Sequence, residues 1–399
     1  MKRGFIALVQ GVLLSLIIFS GTEVSAETGR ETHGQEGEGL PAEPGEAGSD
    51  PKISFHGYGE FHYNNPVVEG TGLPDEDLLP TLDFHRLVLG WSYYYNDRLS
   101  LHAEIDYEHA AQELELEFAY IDYLITDAIN VRAGSMLMPV GPLNEFHEPT
   151  LFYSVERPYV QRTIIPTTWS SGGFGFFGQP LQGVSYRIYF VEGLDATGFS
   201  ENGIRGGRQV LFEDENHAVN FGGVGRIEYT GLPGFVVGAS LFSAGAGQGT
   251  PGLGNARVTL WDADLRYRIR GFDVGALYAQ SRVRGAGEIS DLIRLDPDRA
   301  EETVGSEQIG WYVEGAYHLA SLTQSQYDWV PFIRYERIDT QASVPSGFVK
   351  NPATDLKVIT YGLAFYPHPD VAVKVDRERW DDEAGGDGNR TNAALAFMF

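Results

Sequence analysis

The sequence predicts an all-β chain, a transmembrane antiparallel β-barrel of about 16 strands with one long inward-folded link. Three observations predict it. From residue 52 onward, segments of roughly 9 to 14 residues with period-two alternation recur to the end of the sequence, long enough for a tilted strand to cross a hydrocarbon core. The links between them alternate between tight turns and long stretches. The final "ALAFMF" continues the alternation, with Ala393, Leu395, Phe397 and Phe399 on one face.

Residues 1–26 read as a signal peptide: Lys2 and Arg3, an apolar stretch, then Val24-Ser25-Ala26 as a small-residue cleavage pattern. The competing reading is an uncleaved anchor, which a self-inserting barrel does not need. Residues 27–51 are acidic, rich in Gly and Pro and poor in branched or aromatic residues, and read as a disordered periplasmic tether. The barrel domain is then 52–399.

Composition agrees without deciding. A mean hydropathy of −0.21 gives no hint of membrane, because alternating strands never accumulate a long apolar run. The 21 Tyr, 23 Phe and 49 Gly stand beside no Cys, which excludes disulfides and thiolate metal sites. A net charge of −26 argues against a nucleic-acid partner.

The expected strands are 52–62, 82–95, 98–108, 112–125, 128–138, 171–178, 183–192, 219–230, 234–244, 256–269, 272–284, 307–319, 327–339, 354–366, 370–380 and 391–399. Alternation is clear in the better ones. Leu99, Leu101, Ala103, Ile105 and Tyr107 oppose His102, Glu104, Asp106 and Glu108. Likewise Trp261, Ala263, Leu265, Tyr267 and Ile269 oppose Leu260, Asp262, Asp264, Arg266, Arg268 and Arg270. A soluble sandwich would alternate in the same way. Aromatics gathered near strand ends, in "WSYYY", "YAQ" and "ERW", separate the two by suggesting interfacial girdles. The long links 63–81, 139–170, 193–218, 285–306 and 381–390 fall on one side, the tight turns 96–97, 126–127, 231–233, 270–271 and 367–369 on the other; 109–111 is a short link on the long side.

The link 139–170 differs chemically. Five prolines deny it a continuous strand or helix, while Phe146, Leu151, Phe152, Tyr153, Val155, Tyr159 and Ile164 carry more apolar surface than an exposed loop needs. Folding into the barrel would cover them. Glu145, Glu148, Glu156, Arg157 and Arg162 would then face a narrowed passage, where charges of both signs focus the field and screen solutes. The alternative is a surface plug or subunit contact with internally paired charges.

"VRAGSMLMPVGPLNEFHE", followed by "RTIIP" and "GGFGFFG", resembles the phosphate-selective O/P porin family, in which a Gly-x-x-x-x-Pro-x-Gly element leads a strand into an inward loop. Here those positions are Gly134, Pro139 and Gly141. The resemblance implies an outer-membrane channel of a Gram-negative bacterium, embedded in outer-membrane lipids, homotrimeric, passing small hydrophilic solutes or ions by diffusion without a cofactor. It also implies that Phe399 is read by the outer-membrane insertion machinery. Phosphate-selective members line the channel with Arg ladders and Lys clusters. This sequence offers Arg132, Arg187, Arg226, Arg266, Arg268, Arg334 and Arg337 as a partial ladder, but only Lys52, Lys350, Lys357 and Lys374 beyond the signal segment, and inward acidic residues outnumber them, a balance that points away from phosphate selectivity and toward a weakly cation-preferring pore or one that passes neutral solutes. Arg132, Arg266, Arg268 and Arg334 are the wall candidates. Each can equally be a wall-stiffening partner of an acidic neighbour.

Other classes have less support. No G-x-S-x-G or H-E-x-x-H arrangement is present, and His147-Glu148 is followed by Pro149-Thr150, without a second zinc ligand at helical spacing. A barrel lipase or protease therefore rests on no motif, and a closed structural or adhesive barrel is the stronger alternative. The acidic runs "EDEN" at 213–216 and "DDEAGGDG" at 381–388 are read as solvated loop faces or as cation bridges to surface lipids.

Overall fold

The computed structural model describes residues 52–69, 79–108, 113–209 and 217–399. The expected signal peptide at 1–26, the tether at 27–51 and the acidic run at 213–216 lie outside the described residues.

Sixteen strands form among the described residues. β1 spans Ile53–Glu69, β2 Thr81–Asn96, β3 Leu99–Glu108, β4 Glu113–Thr126 and β5 Ile129–Leu137. After a long link come β6 at Ser170–Leu181, β7 at Val184–Glu192, β8 at Phe221–Leu232, β9 at Phe235–Gly245, β10 at Arg257–Ile269 and β11 at Phe272–Arg284. β12 covers Glu307–Tyr317, β13 Asp328–Ser343, β14 Asp355–His368, β15 Val371–Asp382 and β16 Asp387–Met398. Each pairs antiparallel with its sequence neighbours, and β16 returns to β1 to close the barrel. Closure leaves no exposed sheet edge. The backbone of Phe399 completes the seam, its N–H donating to Gly57 O at 2.9 Å and its O accepting from Gly57 N at 3.0 Å.

Period-two alternation sorts the side chains. In β10, Trp261, Leu265, Tyr267 and Ile269 are exposed on the outer face, while Leu260, Asp262 and Asp264 are buried on the inner one. The same outer belt continues through Phe174, Phe176, Ile188, Leu241, Val313, Ile333, Ile359 and Leu395. A polar-inside, apolar-outside wall inverts the arrangement of a soluble β protein and fits a barrel that sits in hydrocarbon.

Aromatic pairs crowd the end that carries the tight turns. Trp329 stacks on Phe365 at 4.2 Å, and Phe272 meets Tyr317 edge-on at 4.6 Å. Tyr93 and Tyr95 of "WSYYY" lie 4.9 Å apart in the same zone. Trp380 of "ERW" departs from the expectation. It is 3% exposed and shares the inner face of β15 with Lys374, Asp376 and Glu378, because the alternation of that strand turns it inward.

Strand ends shift where a partner offers more pairing. β1 runs to Glu69 and β13 to Ser343, past the expected ends at 62 and 339. The link expected at 381–390 contracts to 383–386, since β15 and β16 stay paired out to Asp381 and Asp387. The main apolar core lies inside the barrel. Met136, Met138, Val140, Tyr159, Ile164, Ile165 and Trp169, on and beside the β5–β6 link, pack with the inward wall residues Phe242, Leu260 and Val358, and with Phe199, Ile204 and Ile293 from neighbouring links.

Candidate functional site

The chain leaves β5 through two glycines that no other residue replaces easily. Gly134 has φ 140°, and a Cβ there would lie 2.3 Å from Ala119 O. Gly141 has φ 68° and turns the chain inward, its N–H donating to Asp262 Oδ2 at 3.1 Å. Asn144 then ties the neck of the link. Its Nδ2 donates to Met138 O at 2.7 Å and Trp169 O at 2.9 Å, while its Oδ1 accepts from Trp169 N at 2.9 Å. One side chain thus satisfies the backbone at both ends of the insertion.

Beyond the neck, residues 138–169 are held by inward-facing groups from many strands. His147 Nε2 lies 2.8 Å from the Tyr58 hydroxyl of β1 and against Glu117 of β4. Tyr153 donates to Asp273 of β11 at 2.5 Å and lies 3.0 Å from His318 Nε2. Ser154 Oγ accepts from Arg334 of β13 at 2.7 Å, and its carbonyl accepts from Lys374 of β15 at 2.9 Å. Val155 N donates to Asp376 at 2.6 Å, and Val160 N, opening a one-turn helix at Val160–Thr163, donates to Glu336 at 3.2 Å. The backbone of an irregular segment needs such partners when water is excluded.

The candidates from the sequence fall into three settings. Glu145 faces Arg187 at 3.0 Å; burial raises its pKa, and Arg187 opposes that shift. Glu148 lies partly buried near Glu104. Glu156 pairs with Arg162 at 3.6 Å and His62 at 3.7 Å, and although burial alone would raise its pKa, His62, Arg390 and Arg162 hold it well below the usual carboxylate range. Arg162 also covers the Tyr159 ring at 3.9 Å. Arg157 makes no ion pair among the described residues, and burial with repulsion from Arg86 pulls its pKa down to about 10.

The wall candidates are all paired. Arg132 bonds Asp122 twice at 2.8 Å and lies 3.8 Å over Tyr120. Arg266 and Arg268 converge on Asp273 at 2.7 and 2.6 Å near the tight-turn end. Arg334 has no exposure; it bonds Glu336 at 2.7 Å and Glu314 at 3.0 Å behind the inserted segment.

Two arginines outside the sequence-based set join the site. Arg205 and Arg208, from "GIRGGRQ" in the β7–β8 link, line with Arg162, Tyr159 and Thr163 a cavity of about 510 Å³. Arg208 Nη1 donates to Thr168 O at 2.6 Å, and Arg205 to Thr167 O, so both are fixed on the inserted segment by carbonyls. Neither has a carboxylate within ion-pair distance among the described residues. Burial, Arg208, Arg157 and Arg162 all lower the proton affinity of Arg205, as mutual repulsion of uncompensated cations should. Two arginines in a Gly-rich link were the available signal, but the sequence does not say that this link folds back over the lumen. Glu104, Asp106 and Glu117 form a buried acidic patch on β3 and β4, and Arg208 borders one small cavity with Asp106 and Glu117.

An uncharacterized protein of Aquifex aeolicus (strain VF5) is 34% identical over 358 residues, which cover 87% of this chain and 80% of that protein. Among solved structures, Salmonella typhi OmpF, in complex with daunomycin, superposes with a TM-score of 0.57 at 15% identity, covering 87% of this chain and 97% of that one. The outer membrane channel DcaP of Acinetobacter baumannii superposes with a TM-score of 0.56 at 12% identity, with the same 87% and 97% coverage. At such identities the likeness shows the fold, a porin-like sixteen-strand barrel. No family model matches the chain.

Proposed function

We propose that this chain, which belongs to one family with the Aquifex aeolicus protein, is an outer-membrane porin through which small hydrophilic solutes and ions diffuse. The observation that carries this reading is the insertion of residues 138–169 into a closed barrel, anchored on β1, β4, β11, β13 and β15, with arginines beside an internal cavity. The insertion acts as a constriction. Solutes pass by way of the cavity lined by Arg162, Arg205 and Arg208, with the charge of Arg157 acting on Arg205 beside it. Local charge at a narrow point sets preference more than the net charge of the chain, so a pore in an acidic protein favours small anions at this level. No chemical step is involved.

The remaining assignments belong to the same proposal. Residues 1–26 export the chain, 27–51 lie in the periplasm, 52–399 form the barrel in a Gram-negative outer membrane, and Phe399 is presented to the insertion machinery. The outer apolar belt contacts lipid and, in a homotrimer, neighbouring copies. The turn at Gly134, Pro139 and Gly141 supports an architecture shared with phosphate-selective O/P porins. Selectivity for phosphate itself lacks support: Lys374 is committed to backbone carbonyls, Lys350 to Asp339 at 2.8 Å and Lys357 to Asp381 at 3.5 Å.

A second reading, a closed structural barrel, draws on the apolar core that fills much of the lumen. Swelling of proteoliposomes in neutral sugars and organic anions of graded size separates the two. The porin reading expects swelling that declines with solute size; no swelling from folded, inserted protein favours the closed barrel.

A further inference from the structure

We infer that Glu104, Glu117 and His147 form a binding site for one divalent transition-metal ion of the Zn²⁺ class inside the barrel. The three side chains are buried, and one ligand atom from each lies within 4.8 Å of the others. They come from three segments. β3 supplies Glu104 from its inner face. β4 supplies Glu117 through a bulge: the register passes from Glu104↔Phe118 to Ile105↔Leu116, so Glu117 is the extra residue, turned inward beside Glu104. The inserted segment supplies His147. Its Nδ1 is 3.0 Å from the Asn144 carbonyl, which can only accept, so Nδ1 carries a proton, and Nε2, against Glu117, is the nitrogen a metal ion would take in exchange for any proton shared with that carboxylate. Two carboxylates and one imidazole make an N/O ligand set suited to Zn²⁺, with water completing the coordination.

A second observation points to a ligand there. Asp106, on the same face of β3, is 3% exposed, and its Oδ1 has no hydrogen-bond partner among the described residues. Asp106 and Glu117 border, with Arg208 and Gln209 of the β7–β8 link, a cavity of about 20 Å³ beside the three ligands, room for one water-sized occupant. Three buried carboxylates thus converge where Arg86, whose charge reaches them, is already bonded to Glu60 at 2.7 Å. His56, 3.1 Å from Glu104, and His147, against Glu117, answer these carboxylates only in part, and since burying three carboxylates together is costly, a divalent cation relieves the remainder. The Tyr58 hydroxyl, 3.2 Å from Glu117 Oε2, then serves as an outer donor to that carboxylate. The ion would bridge the β3–β4 wall to the inserted segment, and the site stands whether or not the barrel conducts.

The test uses the full chain refolded in detergent and stripped with chelator, titrated with Zn²⁺ by calorimetry and with Co²⁺ by visible absorption. The expected result is one tight equivalent of Zn²⁺ and Co²⁺ bands of N/O coordination. His147→Gln and Glu117→Gln should each weaken that equivalent by more than about tenfold, the lower range seen even for outer-shell partners. Heat-modifiable gel mobility establishes that a variant is a folded barrel, and either variant that passes decides the matter. Absence of binding to the unmutated chain at millimolar Zn²⁺, or an equivalent that persists unchanged in a folded variant, overturns the inference.

Discussion

Arg334, on the inner wall, donates to the Ser154 hydroxyl of the inserted segment across 2.7 Å while it also bonds Glu336 and Glu314. The contact joins wall and insertion through a fully buried cation. Arg334→Met would leave two carboxylates without their partner, which typically costs about 3–5 kcal/mol when a buried pair is broken from one side. Denaturant unfolding in detergent should show a loss of that order; a loss below about 1 kcal/mol would mean the pairs are dispensable.

Gly141 makes a second test local. Its φ of 68° and a Cβ position 2.8 Å from Ile165 Cδ1 mean that Gly141→Ala adds backbone strain and a clash. The expected destabilisation is about 1–2 kcal/mol from the left-handed backbone alone, with greater protease cleavage of the 138–169 segment in the folded barrel. Unchanged protection would show that the turn does not need glycine.

His318 gives a pH dependence with a definite sign. Burial lowers its pKa, but the Asp273 carboxylate 3.9 Å away and the hydrogen bond to Asp328 outweigh that, and the net shift is upward. A group raised in the folded state contributes stability fully below its unfolded pKa of about 6.5, and that contribution is lost as pH rises through the folded value. The unfolding midpoint of the unmutated chain should therefore fall more than that of His318→Gln as pH rises from about 6.5. Parallel profiles would contradict the assignment.

The alternation of β3 and β10 carried most of the fold, because a wall with one lipid face and one polar face writes its register into the sequence. Its limits have physical causes. Where strands end depends on how far the partner can pair, as for β13 and β16, and Trp380 turns inward by the parity of β15 rather than by its residue type. The insertion was legible from prolines beside buried-type aromatics. Its partners were not, since Tyr153 meets Asp273 and His147 meets Glu117 only after closure has brought distant strands together. The bulge that turns Glu117 inward is likewise a property of the β3–β4 pairing, which no single strand displays.

Selectivity tests the cationic side of the proposed constriction. Arg157 and Arg205 lack ion-pair partners among the described residues, so their charge is available to a passing ion. A unit charge at about 4 Å is worth about 1 kcal/mol even at the dielectric of water. The double variant Arg157→Gln, Arg205→Gln should lower the anion-to-cation permeability ratio severalfold, read as a shift of reversal potential. Arg132→Gln, whose charge is matched by Asp122, should shift it much less.

Single-channel recording of the purified, folded chain in planar bilayers under a salt gradient tests the central claim most directly. The account predicts discrete conductance steps with a reversal potential on the anion-preferring side. Silence from protein shown to be folded and inserted would contradict the pore, and steps with a strong cation preference would contradict the role given to the arginines.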